Sequence, residues 1–152
     1  MKNKLNVQEL IERNLREEMP IIKLLKKQKV KYIFVFGSNL AGRHGKGAAL
    51  IAYQEYGAKY GKKGRKGKHG QSYAIPTKDS NLQPLPLSRI AYYVGQFIHY
   101  AANHKKLVFY VTRIGCGLAG YKPKQIAPMF KLAGSNVLLP SEFARFTKWE
   151  KK

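Results

Sequence analysis

One pattern occurs twice in this chain of 152 residues and restricts its fold more than any other feature: an apolar strand that runs into a glycine-rich loop. The first apolar run, at 31–36, is followed by residues 37–47, the first glycine loop, and a helix is predicted over about 46–57. The second run, at 107–111, is followed by residues 112–121, the second glycine loop. Such loops offer backbone N–H groups to an anion, and a helix dipole adds to the attraction. The alternative is a tight connection that binds nothing.

Apolar periodicity and breaker residues predict the other elements, which alternate between helix and strand. A helix is predicted at 6–19; it opens with a capping box at Asn6 and Glu9, ends at Pro20 and is followed by a helical turn or linker at 21–27. A strand at 71–76 ends or forms an edge at Pro76, and a helix runs from a cap at Ser88 to about 103. The remaining elements are a helix from Pro123 to about 132, a strand at 137–139 and a last helix capped by Ser141. This alternation predicts a layered α/β fold with a largely parallel sheet. We expect one globular domain at 30–152, with the helical segment 1–29 packed on it.

A third strand ends at the same edge of the sheet as the two glycine loops. Thr77, Lys78 and Asp79 follow the strand at 71–76. The carboxyl ends of parallel strands meet at one edge, and ligands bind there. The sequence therefore predicts a three-sided crevice, and this convergence separates the first glycine loop from an ordinary turn.

Charge is the most unusual bulk property of the chain. Lysine and arginine number 29 against 8 aspartates and glutamates, which gives a net charge of +21. This implies an anionic partner, whereas the alternative is a set of solvated lysines that keep the protein dispersed. Residues 59–70, the basic segment, lack apolar periodicity and are expected to form a mobile loop unless an anion orders them. Nucleic acid would be contacted there by Lys62, Lys63, Arg65, Lys66 and Lys68.

Several classes of protein and of site are not indicated. No apolar stretch has the length of a signal peptide or of a membrane span of roughly 20 residues. The single cysteine, Cys116, allows no intramolecular disulfide and fits a reducing compartment, so the cytoplasm is the expected location. The glycine loops match neither the dinucleotide-binding pattern nor a P-loop, whose Lys-Ser/Thr pair is replaced by Arg43 and His44. The histidines have no metal-ligand spacing with Cys116, and no metal or cofactor is expected.

Candidates for catalysis are few because carboxylates are scarce. Asp79 is the only aspartate in the chain and the main candidate for a general base near the crevice. It is equally suited to forming a turn after Lys78. Cys116 lies between two glycines and is either a nucleophile or a small buried residue in a tight loop, and the second interpretation is favoured.

Three segments resemble the macro domain family, specifically the branch that contains the terminal ADP-ribose protein glycohydrolase. The most specific likeness is Arg113-Ile-Gly-Cys-Gly-Leu118 in the second glycine loop. Gly45–Ala52 with Tyr56-Gly57 is similar to the family's first phosphate loop, and Ile75-Pro-Thr-Lys78 to its strand ending in Thr-Lys. The likeness spans roughly residues 31–140. It implies a three-layer α/β/α fold with a mixed, largely parallel sheet and helices on both faces.

The resemblance implies that the crevice binds ADP-ribose or an ADP-ribosylated macromolecule. In the hydrolase branch the lysine ending the Thr-Lys strand, here Lys78, engages the ribose, and an aspartate stands where this chain has Ala119. Glycohydrolase activity through Lys78, with Asp79 in support, is one alternative function, and nucleic-acid binding through the basic segment is another. The implied ligand-binding residues are Gly37, Ser38, Asn39, Gly45, Lys46, Gly47, Ala48, Thr77, Ile114, Gly115, Cys116, Gly117, Leu118, Ala119, Gly120 and Tyr121.

Overall fold

A computed structural model describes residues 18–147 as an α/β fold around a five-stranded sheet. The strands are β1 (Tyr32–Asn39), β2 (Gly67–His69), β3 (Ser72–Lys78), β4 (Val108–Val111) and β5 (Val137–Leu138). The helices are α1 (Glu18–Lys27), α2 (Gly47–Glu55), α3 (Leu87–Ala102), α4 (Pro123–Ile126) and α5 (Ser141–Ala144), with 3₁₀ helices at Gly61–Gly64 and Ala127–Phe130.

The sheet is mixed and mostly parallel, as the sequence predicts. Its strand order is β2-β3-β1-β4-β5, and β1 pairs in parallel with both β3 and β4. β5 is parallel to β4, whereas β2 runs antiparallel to β3 at the edge of the sheet. β1 lies in the middle because almost all of its side chains are buried, which requires cover on both faces.

Helices cover both faces of the sheet, which confirms the three-layer α/β/α prediction. On one face Val35 packs in a core shared with α3, α4 and α5. On the other face Phe34 packs with Leu25 of α1 and Ala52 of α2. Successive side chains of a strand point to opposite faces, so the apolar run of β1 supplies contacts to both layers.

α3 is the longest helix among residues 18–147 and buries one stripe of its surface. Ile90, Val94, Phe97 and Ala101 recur every three or four residues, and each is at most 1% exposed. The helix predicted up to about residue 103 is therefore present, and its apolar periodicity forms its buried face. Its opposite face is left to solvent.

Two predicted helix caps are wrong. Ser88 lies inside α3, whose cap position is held by Pro86, and Ser141 is the first residue of α5, whose cap position is held by Pro140. The two prolines have ψ angles of 149° and 152°, so the chain turns into each helix from an extended residue. The cap residues of both helices, the two prolines, make no side-chain hydrogen bond.

Two strands are longer than predicted. β1 continues through residues 37–39, and β3 continues through Pro76 to Lys78. The two extensions pair with each other, with Ser38 opposite Pro76 and Asn39 opposite Lys78. Proline is tolerated there because β2 pairs only with the first residues of β3, so no hydrogen bond to β2 is lost.

The prediction that the basic segment lacks regular structure is wrong. It contains the 3₁₀ helix Gly61–Gly64 and the edge strand β2. Glycines bring its backbone into direct contact with other backbone: a Cβ atom at Gly64 would lie 1.6 Å from the Lys59 carbonyl oxygen, and one at Gly70 would lie 2.7 Å from the Gly57 carbonyl oxygen. Hydrophobic periodicity does not register contacts of this kind, because they involve no apolar side chain.

The N-terminal predictions are tested only in part. Residues 1–17, which hold the capping box and most of the helix predicted at 6–19, lie outside the described residues. α1 runs through Pro20, so the prediction that a helix ends there is wrong. Proline is tolerated in a first helical turn because its missing N–H would make no helical bond. Among residues 18–147 no helix is both long enough and apolar enough to cross a membrane.

Candidate functional site

A cleft of about 730 Å³ lies at the carboxyl ends of β1, β3 and β4. Both glycine loops and the end of β3 line it, as the sequence predicts for neighbouring parallel strands. The predicted site residues that line the cleft are Gly37, Asn39, Gly45, Lys46, Gly47, Ala48, Thr77, Lys78, Ile114, Gly115, Gly117, Leu118 and Ala119.

Gly37 lets the ends of the strands approach each other closely. A Cβ atom at this position would lie 3.3 Å from Thr77 Oγ1 and 3.7 Å from the backbone nitrogen of Gly115. Thr77 Oγ1 also donates a hydrogen bond to the Ser38 carbonyl oxygen at 3.3 Å. β1 is therefore tied to β3 beside the second glycine loop, which sets the spacing of the cleft walls.

Asn39 shapes the first glycine loop. Its Nδ2 donates to the Arg43 carbonyl oxygen at 2.8 Å, its Oδ1 accepts the Arg43 N–H at 3.0 Å, and its carbonyl oxygen accepts the Gly42 N–H at 3.0 Å. Consecutive N–H groups after this closed turn donate to no acceptor within residues 18–147: those of Gly45, Lys46, Gly47, Ala48 and Ala49. These groups lead into α2, where a helix N-terminus favours an anion.

The second glycine loop is tied down near its ends and keeps donors between them. The Tyr121 N–H donates to the Gly115 carbonyl oxygen at 2.8 Å, and the Tyr121 hydroxyl donates to the Leu85 carbonyl oxygen at 2.6 Å. Gly115 has φ +74°, and a Cβ atom there would lie 2.9 Å from Ile126 Cδ1, so the position requires glycine. Several N–H groups of this loop donate to no acceptor within residues 18–147: those of Gly115, Gly117, Leu118 and Ala119.

The side chains that line the cleft make it cationic. Arg43, Lys46, Lys78 and Arg113 line it, and none of the described lining residues is an aspartate or glutamate. Arg113 Nε pairs with Glu142 Oε1 at 2.5 Å, whereas the other three cations form no salt bridge within residues 18–147. The cations and the backbone donors attract the same kind of ligand, one that carries negative charge.

Several residues predicted for the site lie outside the cleft lining. Ser38 is buried, and its hydroxyl donates to the Arg65 carbonyl oxygen at 2.5 Å. Tyr121 anchors the second glycine loop from behind, and its N–H and hydroxyl are both used within the fold. The Gly120 N–H donates to the Gly117 carbonyl oxygen at 3.0 Å. In the structure these residues support the loops, and their predicted contact with a ligand stays a prediction.

The candidate base and the candidate nucleophile also lie outside the cleft lining. Asp79 Oδ1 accepts the N–H groups of Asn81 at 2.8 Å and of Gln83 at 2.9 Å, which is the turn-forming role that the sequence left open. Burial raises the pKa of the Cys116 thiol, so little thiolate is present at neutral pH. The geometry therefore favours the structural interpretation of both residues.

Other cleft residues were not predicted: Arg43, Ala49, Tyr60, Leu82, Thr112 and Arg113. Arg43, Ala49, Thr112 and Arg113 lie in or beside the two glycine loops, so the position of the loops in the sequence could have indicated them. Tyr60 comes from the basic segment, and its hydroxyl would lie 3.8 Å from a Cβ atom at Gly45. Its ring packs against Tyr53 with centroids 5.0 Å apart. No local pattern indicates this position, because it depends on the basic segment folding back over the first glycine loop.

Two buried histidines hold the basic segment in place: His44 ties it to the first glycine loop, and His69 links its two ends. His44 Nε2 donates to the Lys59 carbonyl oxygen at 2.7 Å, and the Lys59 N–H donates to His69 Nδ1 at 3.1 Å. Burial lowers the pKa of both imidazoles below the usual 6.5, so both are neutral at pH 7. Within the described part of the chain, no group of three histidine, cysteine or acidic side chains could hold a metal ion.

Comparisons with known proteins add little to this picture. No protein-family model matches the sequence, and no curated protein matches it. A solved structure of a protein of unknown function from Bacteroides thetaiotaomicron matches with a TM-score of 0.49 and 17% identity. The match covers 72% of this chain and 87% of that one.

Proposed function

We propose that the cleft binds ADP-ribose or a closely related nucleotide diphosphate. The observation that carries the proposal is the presence, along one cleft, of two glycine loops whose consecutive backbone N–H groups have no acceptor within residues 18–147. These N–H groups are free to donate to a bound anion, and a diphosphate offers several acceptor oxygens. The resemblance of both loops to macro domains supports the same ligand.

The electrostatics and the size of the cleft support the same proposal. Arg43, Lys46 and Lys78 offer positive charge that no carboxylate of the described lining offsets. Charge-assisted hydrogen bonds to phosphate are stronger than neutral ones. The volume of about 730 Å³ lies within the range of roughly 300–1,000 Å³ that is usual for small-molecule sites.

The proposal covers binding and does not extend to hydrolysis. General base catalysis needs a proton acceptor within hydrogen-bond reach of the reacting group. Lys78 lines the cleft, but Asp79 holds a turn outside its lining, and Ala119 occupies the position at which the resemblance implies an aspartate. A binding function requires none of these carboxylates.

Titration calorimetry with ADP-ribose tests the proposal. We expect one ADP-ribose per chain, with micromolar affinity, for the unchanged protein. A Cβ atom at Gly117 meets no atom within 4 Å, so Gly117→Glu fits the fold and places a carboxylate among the free N–H groups. We expect binding about a hundredfold weaker or lost, because like charges at an interface cost several kcal/mol.

Gly95→Glu is the matched control for this experiment. Gly95 is an exposed residue of α3 outside the cleft lining, and a Cβ atom there also meets no atom within 4 Å. Both variants change the net charge by the same amount, so only position distinguishes them. Absence of heat from the unchanged protein at high ADP-ribose concentration contradicts the proposal. Equal weakening by the two variants contradicts the assignment to this cleft.

A further inference from the structure

A second opening of about 860 Å³ lies between the edge of the sheet and α3, and it shares no lining residue with the cleft. We name it the α3 groove. Its two sides are formed by Lys66 and Gly67 at the sheet edge and by Tyr92, Gln96 and His99 on α3 with Asn103 at its C-terminal cap.

The composition of the exposed face of α3 is unusual for this chain. Tyr92, Gln96, His99 and Asn103 recur every three or four residues, opposite the buried stripe. At 1.5 Å per residue this row is about 16 Å long. α3 contains one arginine, Arg89, no lysine and no acidic residue, although lysine and arginine make up 29 of the 152 residues of the chain. Aromatic and amide side chains thus occupy a face on which charged residues are usual.

Aromatic rings lie in this row and beside it. Tyr92 is 57% exposed, and its ring packs edge-to-face on Tyr93 with centroids 5.5 Å apart. At the other end of the helix, Tyr100 and His104 are stacked with centroids 3.9 Å apart and planes inclined by 19°. Lys66 Nζ lies 5.8 Å from the centroid of the Tyr93 ring, which brings a positive charge to the same aromatic group.

Positive charge flanks the groove on both sides. The basic segment supplies exposed lysines beside β2, and Lys105 and Lys106 follow the end of α3 and are exposed. None of the described residues that line the groove is acidic. An exposed aromatic ring inside a cationic rim is an arrangement with which proteins bind single-stranded nucleic acid, since bases stack on the ring and phosphates meet the cations.

We propose that the α3 groove binds single-stranded nucleic acid, with Tyr92 as a stacking platform for a base and the basic segment as the phosphate contact. Gln96 Nε2 donates to the Tyr92 hydroxyl at 3.1 Å, which holds the ring in place for stacking. The groove shares no lining residue with the cleft, so a strand and a small nucleotide ligand have separate places to bind.

Fluorescence anisotropy with labelled strands of about ten nucleotides tests the proposal. The probes are oligouridylate, oligodeoxythymidylate and a blunt DNA duplex of the same length. We expect both single strands to bind more tightly than the duplex, and the affinity to fall with salt because phosphate contacts release counterions. Tighter binding of the RNA strand indicates contact with the 2′-hydroxyl, and equal binding indicates that bases and phosphates suffice. Both results support the groove.

The variants separate stacking from charge. We expect Tyr92→Ala to weaken single-strand binding roughly five- to a hundredfold with an unchanged salt dependence, because a base loses its aromatic partner and no charge changes. Tyr92→Phe keeps the ring and should bind like the unchanged protein. Phe146→Ala is the matched control, since Phe146 is an aromatic residue, 37% exposed, that lies outside the groove, the cleft and the basic segment.

Four results would each overturn the proposal. The first two are that Tyr92→Ala binds a strand as tightly as the unchanged protein does, and that the duplex binds as tightly as the strands. The other two are that polyglutamate, at equal charge and salt, displaces a bound strand, and that ADP-ribose displaces it. Polyglutamate tests whether any polyanion suffices, and ADP-ribose tests whether the strand occupies the cleft instead. Thermal unfolding of each variant checks that the exposed substitutions leave the fold intact.

Discussion

Gly42→Ala should destabilise the protein more than the same substitution at Gly61. The two glycines lie against each other where the basic segment meets the first glycine loop, and the Gly61 N–H donates to the Gly42 carbonyl oxygen at 2.9 Å. Gly42 has φ +69°, and a Cβ atom there would lie 1.9 Å from the Gly61 carbonyl oxygen. Gly61 has φ +77°, but a Cβ atom there meets no atom within 4 Å.

The magnitude follows from these two geometries. A left-handed backbone costs a residue other than glycine about 1–2 kcal/mol, and both variants carry this cost. Only Gly42→Ala also pushes the basic segment away, which adds the loss of a backbone hydrogen bond, about 0.5–1.5 kcal/mol, and of the neighbouring contacts. We therefore expect a loss of about 2–3 kcal/mol in the free energy of unfolding for Gly42→Ala, and about 1–2 kcal/mol for Gly61→Ala.

Urea denaturation of the unchanged protein and both variants measures the difference directly. The comparison within the pair removes the cost of the backbone conformation, so the remainder reports the contact between the two segments. Tyr60 lines the cleft from the basic segment, so displacement of that segment should also weaken ADP-ribose binding by Gly42→Ala. Equal stability of the two variants would refute the inference that glycine-to-glycine contact holds the basic segment in place.

Two further predictions concern titratable groups. Burial lowers the folded-state pKa of His44 and His69, so as the pH falls below 6.5 the unfolded state takes up protons first. The free energy of unfolding should be highest above this pH and should fall below it by up to about 1.4 kcal/mol per pH unit for each histidine. Urea denaturation between about pH 8 and pH 5 measures this change. A free energy of unfolding that stays constant over this range contradicts the prediction. Asp79→Asn keeps an oxygen that can accept both backbone N–H groups and should leave stability within about 0.5 kcal/mol, whereas Asp79→Ala should cost about 1 kcal/mol. A loss of ADP-ribose affinity in Asp79→Asn at unchanged stability would show instead that the carboxylate acts on the ligand.

Protonation of the histidines has a specific structural consequence. His69 Nδ1 accepts the Lys59 N–H, and an imidazole that carries protons on both nitrogens cannot accept it. His44 Nε2 already donates to the Lys59 carbonyl oxygen, so a second proton would sit on Nδ1, a buried atom with no hydrogen-bond partner within the described residues. Acid should therefore loosen the basic segment before the sheet.

The alternation of elements and the position of the cleft were predictable from the sequence. Apolar periodicity is a local property, and it located the strand at 31–36 and the buried stripe of α3 from Ile90 to Ala101. Parallel strands bring their carboxyl ends to one edge, so two glycine loops and Lys78 had to converge once the sheet was inferred. The ends of elements were less well predicted, because cross-strand pairing extends β1 and β3 beyond their apolar runs.

Tertiary contacts decided the rest of the site. The sequence marks both glycine loops, but the closed turn made by Asn39 and the turn that occupies Asp79 are visible only in three dimensions. The basic segment shows the difference most clearly. Its lysines and glycines have no apolar pattern, yet buried histidines and glycine contacts fold it back and carry Tyr60 into the cleft. Local sequence patterns determine elements and their order, whereas contacts between distant backbone segments depend on how those elements are placed in space.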